Sequence, residues 1–403
     1  MAWAQTSPEY ARLLETGRPP NIKKLFPNSK ALIVSGKIID RALLAKGRSM
    51  TISANARNHL IIEGVLAAAQ RADAAVIIET SQSEGAYCAP NYWNLARRVD
   101  ALLNERGYTI PVAVHAGRYT LGNEADLAAA RAEVPSIFEA GLTSIALDAS
   151  PRAGAENLLT TLAVTPLIPR WAGLECTVDA SVGDGGRGAL EEALFLVQGL
   201  NAHGCHPDWI ALNNDLDLDL IAGLHQALRP YGLSGAQPEA GGHSPDRLRQ
   251  MAEGTATTKA GVATALQLAA WGVKVNDRGQ AELEAGRLVK RPGRGLGEEL
   301  WAALEAESRA GNLKAGDLKR LNLAYENRIL AQPAEVRTRM AREVEDFAHR
   351  LLTEVFFAQG SARLAYEVIL KAGGPDPGPK AGRTEDPAQW TREKIIRRAA
   401  GDS

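Results

Sequence analysis

The sequence predicts an α/β protein, a (β/α)8 TIM barrel with a helical C-terminal extension, on three observations. Short β-rich runs alternate with longer Ala-, Leu- and Glu-rich stretches of helical period, the pattern of parallel strands joined by crossover helices. At least seven such units follow one another within about 190 residues, which suits a closed barrel better than an open doubly wound sheet. From about Gln280 onward the strand signal stops and charged helical stretches take over.

In chain order, the strand Ser49–Ala54 precedes a helix over Leu60–Arg71, and Ala75–Thr80 precedes a helix over Leu95–Arg106 that Gly107 ends. Ile110–His115 leads to a helix over Glu124–Ala140, Ser144–Asp148 to one over Glu156–Pro166, and Leu174–Val178 to one over Leu190–Asn201. Trp209–Leu212 and the helix Leu218–Leu228 follow, with a further strand around Gly232–Gln237. The expected organisation is an N-terminal helical or loop segment over 1–48, the barrel over 49–280 and the extension over 281–403. Within the extension, helices are expected over Leu296–Arg309, Ala334–Phe357 and Trp390–Arg398, the last behind a Gly/Pro-rich linker near 373–387.

Composition narrows the function. The 403 residues are 45% hydrophobic and 23% charged, enough apolar surface for a large core. A formal net charge of -1 leaves no excess field for nucleic acid or an anionic membrane, and no basic stripe with aromatics is visible. The expected partner is a small molecule. Cys88, Cys176 and Cys205 are too few and too scattered for a disulfide framework, and no apolar run reaches bilayer length, so a cytoplasmic protein is expected.

In a (β/α)8 barrel, chemistry belongs at the C-terminal ends of the strands. That rule selects Asn55, Ser81, His115, Asp148 and Asp179 at the ends of the first five strands. It also selects Asn213 after the sixth and Glu239, Gly241, Gly242 and His243 after the seventh, where glycine backbone can donate N–H groups to a phosphate. His203 and His206 flank Cys205 but fall in the loop before the sixth strand, at the opposite end, where a structural role is expected.

These positions resemble the class II fructose-bisphosphate aldolase family over about Ser49 to Gln267. SANARN at Ser53–Asn58 resembles the family's AFNVNN, PVAVH at Pro111–His115 its PVALH, and GLTSIALDAS at Gly141–Ser150 its GFTSVMIDGS. AAVIIETS at Ala74–Ser81, Leu174–Gly183 and Ala240–Gly242 take the places of three further family segments in the same order. The resemblance implies a cytoplasmic, homo-oligomeric aldehyde-lyase of carbohydrate metabolism acting on a phosphorylated sugar or related hydroxycarbonyl compound.

The departures fall on the zinc site that the resemblance implies. The family's Asp-His pair after PVALH is Gly117 and Arg118 here, no His occurs in Leu212–Asp215, and Glu239 stands where the third His would be. Three readings remain. One divalent metal, zinc by family habit, is held in a rebuilt site drawn from His115, Asp179, Glu239 and His243. Alternatively a lysine forms a Schiff base with the substrate carbonyl, the candidates being Lys259, with Thr264 and Gln267 near the expected eighth strand, and Lys274 in GVKVND. In the third reading the barrel is a non-catalytic binding or partner subunit. For an active enzyme the catalytic candidates are His115, Asp148, Asp179 and Lys259, with Asp148 or Asp179, at the strand-four and strand-five ends, expected to shuttle the proton. Asn55, Ser81, Arg118, Asn213, Gly241, Gly242 and Thr264 are then candidates for substrate and phosphate binding.

Overall fold

The computed structural model describes residues 5–179, 186–212, 217–238, 243–276, 280–284, 287–310, 315–380 and 383–400. Three helices come first: α1 (Pro8–Gly17), α2 (Pro20–Leu25) and α3 (Gly36–Lys46). The barrel then runs β1 (Thr51–Asn55), α4 (His59–Ala72), β2 (Val76–Ser81), α5 (Leu95–Arg106), β3 (Val112–Thr120), α6 (Glu124–Glu139), β4 (Ser144–Asp148) and α7 (Gly154–Val164). It continues with β5 (Gly173–Val178), α8 (Gly186–Ala202), β6 (Trp209–Leu212), α9 (Leu218–Leu228), β7 (Ser234–Gln237), α10 (Pro245–Gly254), β8 (Thr257–Val262) and α11 (Thr264–Trp271). The strands pair in sequence order, and β8 returns to pair in parallel with β1, closing the barrel.

Local chemistry accounts for the element ends. Asn58 caps α4 by accepting from the Ile61 N–H, and Asn123 with Asp126 forms a capping box on α6. The strands are buried almost throughout, as expected of a parallel sheet covered on its outer face by helices. The barrel floor is sealed by α3. A Cβ at Gly36 would lie 2.8 Å from Ser144 Cβ and 3.0 Å from the Trp209 ring, so only glycine lets the helix start press this closely against the strands.

Among the described residues after the barrel, β9 (Leu283–Glu284) and β10 (Arg287–Leu288) form a short antiparallel pair, which departs from the expectation that strands end by Gln280. Then follow α12 (Glu298–Ala310), α13 (Leu321–Leu330), α14 (Ala334–Arg350), α15 (Ser361–Ala372) and α16 (Arg392–Ala399). The helix expected to run to Phe357 changes at Leu351–Val355 into one π-helical turn. Packing of α14 against α4 is close: a Cβ at Gly64 would meet Ala341 O at 2.5 Å. Near the linker, Lys380 passes under the floor and donates to Asp40, to Asp208 O (2.8 Å) and to Ser234 Oγ (3.0 Å). Among the described residues no helix is long and apolar enough to cross a membrane.

Candidate active site

Three strands of mostly apolar or small residues each carry one charged side chain into the barrel interior: Glu79 on β2, Glu175 on β5 and Lys259 on β8. They converge. Lys259 Nζ lies 2.7 Å from Glu175 Oε2, 3.3 Å from Glu79 Oε2 and 2.8 Å from His115 Nε2. Lys259 and Glu175 are each 4% exposed, Glu79 is 6% exposed and His115 is fully buried. Charges so deep persist only when paired.

Burial works against the Lys259 ammonium, but Glu175 and Glu79 outweigh it and hold its pKa above the ordinary lysine value. Burial pushes the Glu79 carboxyl upward by more than Lys259 and the Ser53 hydroxyl pull it down. Burial, reinforced by Lys259, holds His115 well below the usual imidazole range, so it is neutral. An ammonium only donates, so His115 Nε2 accepts from Lys259 and the ring proton sits on Nδ1, which donates to Ser144 Oγ at 2.8 Å. Trp209 forms the wall, its ring edge-on to His115 and 5.9 Å from Lys259 Nζ.

Lys259, Glu79 and Glu175 line a cavity of about 510 Å3. Higher in it, Glu84 accepts from Asn55 Nδ2 (2.8 Å), Arg57 Nε (3.1 Å) and the Ser81 N–H (3.1 Å). Arg57 also donates to Gln267 Oε1 (3.0 Å) and Thr264 Oγ1 (3.3 Å), which ties the end of β1 to the start of α11. At the rim, Arg118 has a φ of 43° at a register shift between Ala116 and Tyr119. A non-glycine residue in the left-handed region is strained, and here the bulge turns a half-exposed guanidinium toward the cavity, with Nε 3.5 Å from Asp148 Oδ2. The cavity is therefore polar, with carboxylates and cations from its floor to its rim.

The candidates named from the sequence divide accordingly. Asn55, Ser81, Arg118, His243 and Lys259 line this cavity, with His115 directly beneath. Thr264 reaches it through Arg57. Asp148 and Asp179, at the ends of β4 and β5, are not among the lining residues: Asp148 accepts from the Ser150 hydroxyl (2.5 Å). His243 meets Gln237 Nε2 at 3.3 Å. Asn213, Glu239, Gly241 and Gly242 lie outside the described residues. Of the two lysines, Lys259 belongs to β8, whereas Lys274 is half-exposed and paired with Glu282 at 2.8 Å, outside the barrel. The loop holding His203 and His206 precedes β6, at the floor end, as expected.

The donor set near the cavity floor bears on the metal. His115, Glu79 and Glu175 enclose the Lys259 ammonium, and a divalent ion among them would press against a like charge. Among the described residues no group of three His, Cys, Asp or Glu side chains is arranged to hold an ion. These residues fit an ammonium better than a divalent metal. Sequence reasoning passed over Glu79, Glu175 and Arg57 because it weighted the strand ends. The available signal was a lone charge inside an otherwise apolar strand, as in VIIETS and GLECTV, which demands an internal partner.

Residues 37–186 match the family model of class-II fructose-bisphosphate aldolase, a family typically dependent on a divalent metal. The fold is similar to that of the YdjI aldolase from Escherichia coli K12, at 16% identity and a TM-score of 0.52, over 82% of this chain and 99% of that one. It is also similar to fructose-bisphosphate aldolase from Campylobacter jejuni, at 16% identity and a TM-score of 0.54, over 82% of this chain and 97% of that one. A putative fructose-1,6-bisphosphate aldolase from Coccidioides immitis shares 14% identity with a TM-score of 0.52, over 85% and 99% of the two chains. A sequence search of curated proteins finds no match.

Proposed function

We propose that this chain is an aldolase-like lyase that breaks or forms a carbon–carbon bond in a phosphorylated sugar or related hydroxycarbonyl compound, with Lys259 as its Schiff-base nucleophile. One observation carries the reading: a buried lysine amine at a cavity floor, within hydrogen-bond distance of a carboxylate and a neutral imidazole, with a second carboxylate 3.3 Å away. Glu79, whose protonated form burial favours, takes the proton that Lys259 must lose before its lone pair attacks the carbonyl carbon. The same proton returns to the carbinolamine hydroxyl, which leaves as water and yields the iminium ion. Glu175 then takes the proton of the substrate hydroxyl beside the scissile bond. As that bond breaks, its electron pair moves to the iminium nitrogen, giving an enamine and an aldehyde. His115 holds Nζ in place through its fixed tautomer, and no step passes through a metal.

The test is borohydride trapping with dihydroxyacetone phosphate, followed by mass mapping, alongside the metal content of the purified protein. An adduct on Lys259 supports the reading. Metal at one equivalent with chelator-sensitive turnover and no adduct replaces it with the rebuilt-metal reading, and neither signal leaves a non-catalytic barrel.

A further inference from the structure

We infer that Lys319, from the helical extension, is the cation that receives the phosphate of the substrate, so that the extension completes the active site. This rests on the lyase reading above and concerns the same cavity.

Lys319 lies in the 3-10 segment Ala315–Arg320, far beyond the barrel in sequence, yet it lines the cavity whose floor is Lys259. It is held there. Asn322 Nδ2 donates to Lys319 O (2.8 Å) and also to Gln267 Oε1 (3.0 Å), the same oxygen that accepts from Arg57. The Lys319 ammonium sits 5.7 Å from the centre of the Tyr87 ring, and the Leu323 N–H bonds Tyr87 O at 2.9 Å. The segment that carries the lysine is therefore tied to both the β1 end and the loop after β2.

The arrangement of charge singles it out. Lys259 is neutralised by Glu175 and Glu79, Arg57 by the buried Glu84, and Arg118 lies near Asp148. Among the described residues no carboxylate comes within 4.0 Å of the Lys319 ammonium, which lies near the Tyr87 ring. A lysine is a compact point charge suited to a phosphate oxygen, and the half-buried position reduces its screening by water. A ligand with its carbonyl at Lys259 and an anionic end at Lys319 would have both ends in the one cavity that these residues line.

The test is calorimetric titration of the full chain with inorganic phosphate for wild type, Lys319→Gln, Lys319→Arg and Lys274→Gln. Wild type is expected to bind one phosphate. Lys319→Gln should bind at least about tenfold more weakly, Lys319→Arg should recover most of the affinity, and Lys274→Gln, altered outside the cavity, should match wild type. Unchanged affinity in Lys319→Gln, or no saturable binding in wild type, overturns the inference. Failure of the Lys259 reading shows separately, as phosphate binding that depends on Lys319 without any borohydride adduct.

Discussion

Replacing Lys259 with Met removes the ammonium but keeps most of its volume, so the response measures charge. At an effective dielectric constant of about 20, contacts of 2.7 and 3.3 Å correspond to attractions of about 6 and 5 kcal/mol, offset largely by desolvation of all three groups. Losing one side of such a buried pair typically costs about 3–5 kcal/mol, which is the loss of unfolding free energy expected at pH 8. The loss should shrink with acid. Burial already raises the Glu79 carboxyl above the unfolded value of about 4.3, and without Lys259 to pull it down it lies higher still. The variant therefore gains stability as pH falls from 8 toward 5, by up to about 1.4 kcal/mol per pH unit for each carboxyl that takes a proton. The raised Lys259 pKa of the wild type gives a contribution already complete below the unfolded value of about 10.4, so it stays constant over the same window. Urea unfolding of both proteins at pH 8 and pH 5 reads the difference directly. The Lys259→Met, Glu175→Gln double variant should recover about half of the loss, and turnover of either should fall by at least about a hundredfold. A loss below about 1 kcal/mol, or one independent of pH, would refute the charge cluster as described.

Two further expectations concern the barrel's stability below neutral pH. Burial lifts the Asp208 carboxyl to about 6 despite Lys380 and Lys37, so its contribution is complete below about 3.8 and is lost as pH rises through 6, about 3 kcal/mol in all. Asp208→Asn should remove that contribution from urea titrations between pH 4 and pH 7, and a variant curve parallel to that of the wild type would place its origin elsewhere. Burial lowers His225 to about 4 while its Nδ1 accepts from the Ala256 N–H, so its contribution is present above about 6.5 and is lost as pH falls through 4, again about 3 kcal/mol. The two groups oppose each other. The wild type should look flat in this range, with Asp208→Asn revealing a loss toward acid and His225→Gln a gain; parallel curves would sink the assignment.

The barrel was legible because local patterns carry it: β-rich runs such as Ser144–Asp148 and Trp209–Leu212 alternate with helical stretches, and turn or cap residues mark most boundaries. The ordered motifs from Ser53 to Ser150 added the resemblance that the match over residues 37–186 bears out. Less was visible where geometry is not local. Whether Lys259 or Lys274 belonged to the eighth strand depended on closure of β8 onto β1, a pairing between residues about 200 positions apart. The choice of Asp148 and Asp179 for the cavity followed strand ends, whereas the inward carboxylates are Glu79 and Glu175, deeper along their strands.

By itself the sequence determined the order of strands and helices, the apolar content that builds one core, and the absence of imidazoles from all three expected ligand positions, Arg118, Leu212–Asp215 and Glu239. The tertiary structure alone decided that Glu79, His115, Glu175 and Lys259 meet and that Lys319 joins their cavity. The physical reason is that strand periodicity says which side chains share a face, while the partner across a barrel is set by closure and register, which no single segment encodes.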